Sequence, residues 1–181
     1  MSEEASAVPA PGADDGALRG AVIAGVVPGQ SSRVVREAGR YAALLGAHLL
    51  VVHVDVTRFV TYEDPDGYVH SAPLDAEGGV GSVELAAVTE LARTALEGRS
   101  VTWSVRQLIG DPALAIKHLA EKVDARLIVV GTRRRGLGES IREFFSGAVA
   151  ARLAHRQQRP VLVVPLGDPV ADDQDIWPDA V

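Results

Sequence analysis

Four glycines and a run of three consecutive arginines mark one stretch of this chain. In RLIVVGTRRRGLGESIREFFSGAVAARLAHRQQRPVLVVP, Arg126 to Pro165, Gly131, Gly136, Gly138 and Gly147 punctuate the sequence, and Arg133, Arg134 and Arg135 lie between the first two. A glycine-rich turn after a buried strand and before a helix presents bare backbone N–H groups, which readily hold a phosphate. Guanidinium forks match two phosphate oxygens at once. The stretch is a candidate anion site, with Glu139 the charge that opposes it. A structural turn beside a solvated basic loop accounts for the same residues, and both readings stay open here.

No established catalytic or nucleotide motif resolves the choice. A P-loop ends in Gly-Lys-Ser/Thr, and no lysine stands in this turn or in the Gly25–Gly29 turn. Ile141 occupies the place of the third glycine of a dinucleotide loop. Ser146 either meets a phosphate or caps a helix. The hydrolase elbow Gly-x-Ser-x-Gly is missing. The segment Tyr62 to Tyr68 lacks the full ligand series of a calcium loop, and a Pro-Asp-Gly turn explains it better. The five histidines show no helical pairing suited to a metal, and His53 is expected on a buried strand, bonded to a neighbour. No nucleophile, base and oxyanion donors assemble, so the sequence points to binding rather than turnover.

Composition narrows the class further. A length of 181 residues suits one domain with a full core, and a net charge of -6 disfavours nucleic acid as a partner. With no cysteine, disulfides and thiolate chemistry are excluded. No apolar run reaches membrane-spanning length, and the start Met1-Ser2-Glu3-Glu4 does not read as a secretory signal. A cytoplasmic location is the expectation.

The elements that must position the glycines follow from hydrophobic period. Ala21 to Val27, His48 to Val54, Leu127 to Val130 and Val161 to Val164 are short, nearly continuous apolar runs, the pattern of strands covered on both faces. Val101 to Leu108 alternates more and should lie at an edge. Helices are predicted from Ser31 or Ser32 as cap to Leu45, with Val34, Val35, Ala38, Tyr41, Ala42 and Leu45 buried, and Gly46 as stop. Further helices run from about Val83 to Leu96, from Pro112 to Val123 with Asp111 as cap, and along the Phe145, Val149, Leu153 face. The prediction is an α/β fold: a single-domain, open five-stranded parallel sheet of order 3-2-1-4-5, helices on both faces. The domain spans 20–166 with a long connection at 55–81, after a disordered tail at 1–19 and before an acidic mobile tail at 167–181. In that order the glycine-bearing turns after the first and fourth strands face each other, where an open sheet binds its ligand.

The blocks GVVPG, LLVVHV, GDPA, LIVVGTR and SGAVAARLAHRQQRPVLVVP, in this order from Ala21 to Leu166, resemble the universal stress protein family. The resemblance implies an adenine-nucleotide alpha-hydrolase-like fold and a homodimer through the last strand, Val161, Leu162, Val163 and Val164. It also implies, for one branch of the family, ATP held between the first and fourth strands without a defined catalytic cycle. Gly131 matches the first glycine of the family's phosphate loop and Gly147 the glycine at the next helix start. Arg134 stands at the second glycine's position, leaving that role to Gly136 or Gly138, with Arg133 and Arg134 as charge partners. Val27 and Val54 would touch the base, and Ala148 and Val149 would follow the phosphates. Two departures matter: Val27 replaces an Asp, and Ala148 replaces a Ser or Thr. Losing two hydrogen bonds of about 1 kcal/mol each weakens binding at least tenfold. Three readings follow: a non-enzymatic regulatory protein binding ATP, a dimeric scaffold with an empty cleft, and a weak ATPase. Neither a metal nor a membrane partner is expected.

Overall fold

The computed structural model describes residues 15–63, 69–73, 80–132 and 148–167. Its core element is a sheet of five parallel strands built from the predicted apolar runs: β1 (Val22–Gly25), β2 (Leu49–Asp55), β5 (Trp103–Ile109), β6 (Leu127–Gly131) and β7 (Val161–Val164). Their spatial order is β5-β2-β1-β6-β7, which is 3-2-1-4-5 counted along the chain. Helices α1 (Arg33–Leu45) and α2 (Val80–Leu96) cover one face, and α3 (Pro112–Lys122) and α4 (Ala148–Arg156) cover the other.

Alternation along β1 shows why both faces must be apolar. Val22 and Ala24 pack with α1 and α2, whereas Ala21 and Ile23 pack with α3 and α4, all four fully buried. Each valine or isoleucine so buried contributes about 1.5–3 kcal/mol. On β5 the burial falls off after Val105, as an outermost strand requires.

Local signals hold at the helix ends with one exception. Gly46 closes α1 with φ 57°, and Asp111 caps α3 by accepting the Leu114 N–H at 2.9 Å, with Pro112 at the first turn. Ser32 sits at the α1 cap position, but its side chain bonds no helix N–H and instead accepts from Arg36 Nη1 at 2.7 Å. Tyr41 and Leu45, expected on the buried stripe, are partly exposed, and Gly39 is buried in their stead. The cause is close helix packing: a Cβ on Gly39 would lie 2.6 Å from Leu96 Cδ2, so α1 turns its smallest residue toward α2.

Two further differences concern the chain between and before these elements. The connection at 55–81 contains an antiparallel pair, β3 (Arg58–Glu63) and β4 (Val69–Pro73). Residues 15–19, placed by sequence in the tail, belong to the packed unit: Leu18 joins the core on the α3–α4 face, and Asp15 bonds Arg106 Nη1 at 2.7 Å. The expectation for 1–14 and 168–181 lies outside the described residues, as does Phe145.

Candidate functional site

The ladder between β1 and β6 stops at Gly25 and Val130, and beyond it the chain leaves each strand in a turn. The two glycine-bearing turns are thus neighbours at the carboxyl ends of adjacent strands, where the winding direction reverses and a crevice opens. On the β2 side, β1 continues one residue further, Val26 donating its N–H to the Val52 carbonyl at 2.9 Å.

The first turn is Val27-Pro28-Gly29-Gln30. Proline supplies the fixed φ of the second position, and Gly29, at φ 70°, supplies the left-handed third. Gln30 closes it twice: its N–H donates to the Val27 carbonyl at 3.2 Å, and its Oε1 accepts the Val27 N–H at 2.9 Å. The second turn begins at Gly131. Thr132 donates its N–H to the Val164 carbonyl at 2.8 Å, and Thr132 Oγ1 accepts the Leu166 N–H at 2.8 Å, so β6 and β7 finish as one unit.

Gly131 has a packing reason to be glycine. A Cβ there would meet Leu166 Cδ1 at 2.5 Å and Gln30 Nε2 at 2.6 Å. Gly25 faces the other way, toward Ile116 Cδ1 at 3.0 Å and Val130 Cγ1 at 3.3 Å. Val54, Val130 and Val149 share the apolar cluster on the α3–α4 face, while Val27 is half-buried at the turn. The structure therefore brings Val27, Val54, Gly131 and Val149 to one end of the sheet, with Val54 and Val149 buried in the core. Ala148 opens α4. Arg133, Arg134, Gly136, Gly138 and Gly147 lie outside the described residues, and with them most of the expected phosphate loop.

Polar side chains around the crevice are held by partners. Asp55, buried at the end of β2, accepts from the Thr57 N–H at 2.8 Å and the Thr57 hydroxyl at 2.6 Å through Oδ1, and from Gln107 at 3.5 Å through Oδ2. This carboxylate shapes the β2 turn, its Oδ1 held by two donors from Thr57. His53 is buried on β2 as expected, with Nε2 3.1 Å from Glu84 Oε2 and Nδ1 3.4 Å from the Val26 carbonyl. Among the described residues no group of three His, Cys, Asp or Glu is placed to hold a metal ion. Also among them, no helix is long and apolar enough to cross a membrane.

Below the crevice, Asp111 links α3 to α4 by bonding Arg152. Burial pushes its carboxyl up, but hydrogen bonds from Arg152 and the Leu114 N–H outweigh burial and hold it below the ordinary carboxylate value. Gln30, Asp55, Thr132 and Arg152 were not singled out from sequence as site residues. Only Gln30 carried a local signal, a side-chain acceptor placed fourth in a Pro-Gly turn.

A model of the Universal stress protein family matches residues 22–165. No curated protein matches the chain. Among solved structures, a universal stress protein in complex with cAMP is 25% identical with a TM-score of 0.52, covering 83% of this chain and 99% of that one. The universal stress protein of Archaeoglobus fulgidus in complex with dAMP is 20% identical, TM-score 0.52, covering 81% and 98%. A universal stress protein from Lactobacillus plantarum is 17% identical, TM-score 0.57, covering 81% and 98%. The last two share the fold.

Proposed function

This chain belongs to the universal stress protein family, and from that membership we propose that it binds an adenine nucleotide as a regulatory ligand between the ends of β1 and β6. One observation carries the reading: the 25% identical structure that spans nearly all of this fold holds cAMP. The adjoining turns at Val27 and Gly131 supply a crevice in the place where such a sheet takes its ligand. ATP is the particular nucleotide expected, with Gly136, Gly138 and Gly147 toward its phosphates and Arg133 and Arg134 as charge partners. The reading takes the nucleotide as a regulatory ligand, without turnover; Asp55 and His53 of β2 are bonded to neighbours. The reading includes a cytoplasmic homodimer formed through β7.

Thermal unfolding of the full chain with ATP, AMP or cAMP tests the ligand. A nucleotide at a hundred times its Kd should add about 2.7 kcal/mol of stability. No shift with any of the three at millimolar concentration defeats the proposal.

A second reading, a dimeric scaffold with an empty cleft, is favoured by a specific contact. Gln30 and Leu166 both press on Gly131, and Val27 offers no polar side chain there. Native mass spectrometry separates the two readings, because it weighs any carried nucleotide together with the subunits.

A further inference from the structure

Gln30 is the described side chain that touches both turns of the crevice. It follows a Pro-Gly pair, and its position as the fourth residue lets the carboxamide fold back over the turn. Both main-chain polar groups of Val27 end on it, the carbonyl on its N–H and the N–H on its Oε1. The other end of the same carboxamide, Nε2, rests against Gly131, within 2.6 Å of where a Cβ would stand. Leu166 presses on Gly131 as well and is anchored through its N–H to Thr132.

The location of this contact gives it consequence. Backbone pairing holds β1 to β6 only as far as Gly25 and Val130. Past that point, Gln30 spans the gap between Val27 and Gly131 where no ladder bond does. A crevice whose opening is set by one carboxamide changes width when that side chain is shortened, and a displacement of about 1 Å at a binding constellation is enough to lose affinity.

We propose that Gln30 is a positioning residue of the nucleotide cleft, fixing the distance between the Val27 turn and Gly131. This rests on the nucleotide reading above. Gln30 acts through the two turns it joins. Glutamate at position 30 retains an acceptor for the Val27 N–H but places an oxygen, and a negative charge, against Gly131. Alanine removes both contacts.

The test measures ATP, AMP and cAMP binding by calorimetry on the full chain, unaltered and as Gln30→Ala, Gln30→Glu and Val88→Ala. Val88 lies on the buried face of α2 in the α1–α2 core, so its truncation lowers stability by a route that spares the crevice. Gln30→Ala should weaken binding about tenfold and Gln30→Glu by at least as much, while Val88→Ala lowers Tm and leaves affinity within twofold. Amide hydrogen exchange at Val27 should be faster in Gln30→Ala than in the unaltered chain, and close to the unaltered rate in Gln30→Glu. Binding by Gln30→Ala within twofold of the unaltered chain overturns the positioning role and leaves the nucleotide reading intact. An unaltered chain that binds none of the three nucleotides overturns the nucleotide reading itself. Unchanged exchange at Val27 in Gln30→Ala overturns the clasp on which the inference stands.

Discussion

Arg152 of α4 holds Asp111, the cap of α3, with both arms of its guanidinium, Nη1 at 2.7 Å from Oδ2 and Nη2 at 2.9 Å from Oδ1. Asp111 thereby serves two helices, since Oδ1 also accepts the Leu114 N–H at 2.9 Å. The pair is two-thirds or more buried, which shields a planar, bidentate contact from full solvent screening. It ties the start of α3, just after the β5 edge, to the helix that begins beside the crevice.

Removing Arg152 should cost about 1 kcal/mol, the upper range for a partly exposed pair. Asp111→Ala should cost about 2 kcal/mol, because the cap is lost as well. Urea unfolding of Arg152→Ala, Asp111→Asn and the double variant checks the assignment. If the ion pair is the coupling, Asp111→Asn adds little once Arg152 is gone; equal costs in both backgrounds would show that the two residues act separately.

Stability should fall in two separate acid windows. Burial holds the His48 imidazole below its ordinary value of 6.5, so the unfolded chain takes up that proton first. Stability is then flat above pH about 6.5, declines as pH drops through it, and levels below the folded value. Asp111 acts in the same direction at lower pH: its lowered carboxyl stabilises the fold above the ordinary carboxylate range, and that contribution disappears only below pH about 4. His48→Gln should erase the first decline and spare the second. Denaturation curves across pH 3 to 8 decide it, and an unchanged slope near pH 6 in His48→Gln rules His48 out.

Gly131→Ala separates packing from binding. The added methyl meets Leu166 Cδ1 at 2.5 Å, Gln30 Nε2 at 2.6 Å and Leu166 Cγ at 3.1 Å, so both side chains must shift and the folding cost should be about 1–2 kcal/mol. Moving Gln30 nonetheless unsettles the Val27 turn, and nucleotide affinity should fall about as far as in Gln30→Ala. Calorimetry on the folded variant reads this directly; full-strength binding would show that the opening tolerates a wider spread.

The strands and their order were legible because burial on both faces leaves continuous runs such as Leu127 to Val130, and because the looser alternation at Val101 to Leu108 marks an edge. The α3 cap was equally plain, Asp111-Pro112 being a local signal. What escaped depends on partners distant in sequence. Leu18 follows Ala17 in a stretch with no strand or helix period, and nothing local says that the α3–α4 core receives it. His53 meets Glu84 from 31 positions away, and Gly39 is explained only by Leu96. The β3–β4 pair had a signal that was read only as a turn: Pro65-Asp66-Gly67 lies between two runs rich in β-branched and aromatic residues, the pattern of a hairpin. At the site, sequence put Gly131 at the end of the fourth sheet strand, where β6 ends, and suggested a phosphate as the cause, whereas the structure supplies a packing cause in Gln30 and Leu166.

The expected dimer rests on β7, among the described strands the outermost on its side of the sheet, pairing with β6. Val161 and Leu162 are half-buried against the two cores, but Val163 is 42% exposed. An edge strand with an apolar residue turned outward is a template for a second strand unless charge guards it, and no charged residue interrupts Val161 to Val164. A second copy pairing along β7 would bury Val163 and satisfy the open edge together. Val163→Lys should then give a folded monomer, since Val163 belongs to neither core and lysine keeps the strand backbone intact. Sedimentation velocity across micromolar concentrations measures it: dimer for the unaltered chain, monomer with an unchanged circular dichroism spectrum for Val163→Lys. A Val163→Lys chain that stays dimeric places the interface elsewhere, and an unaltered chain that is monomeric at tens of micromolar removes the dimer from the proposal.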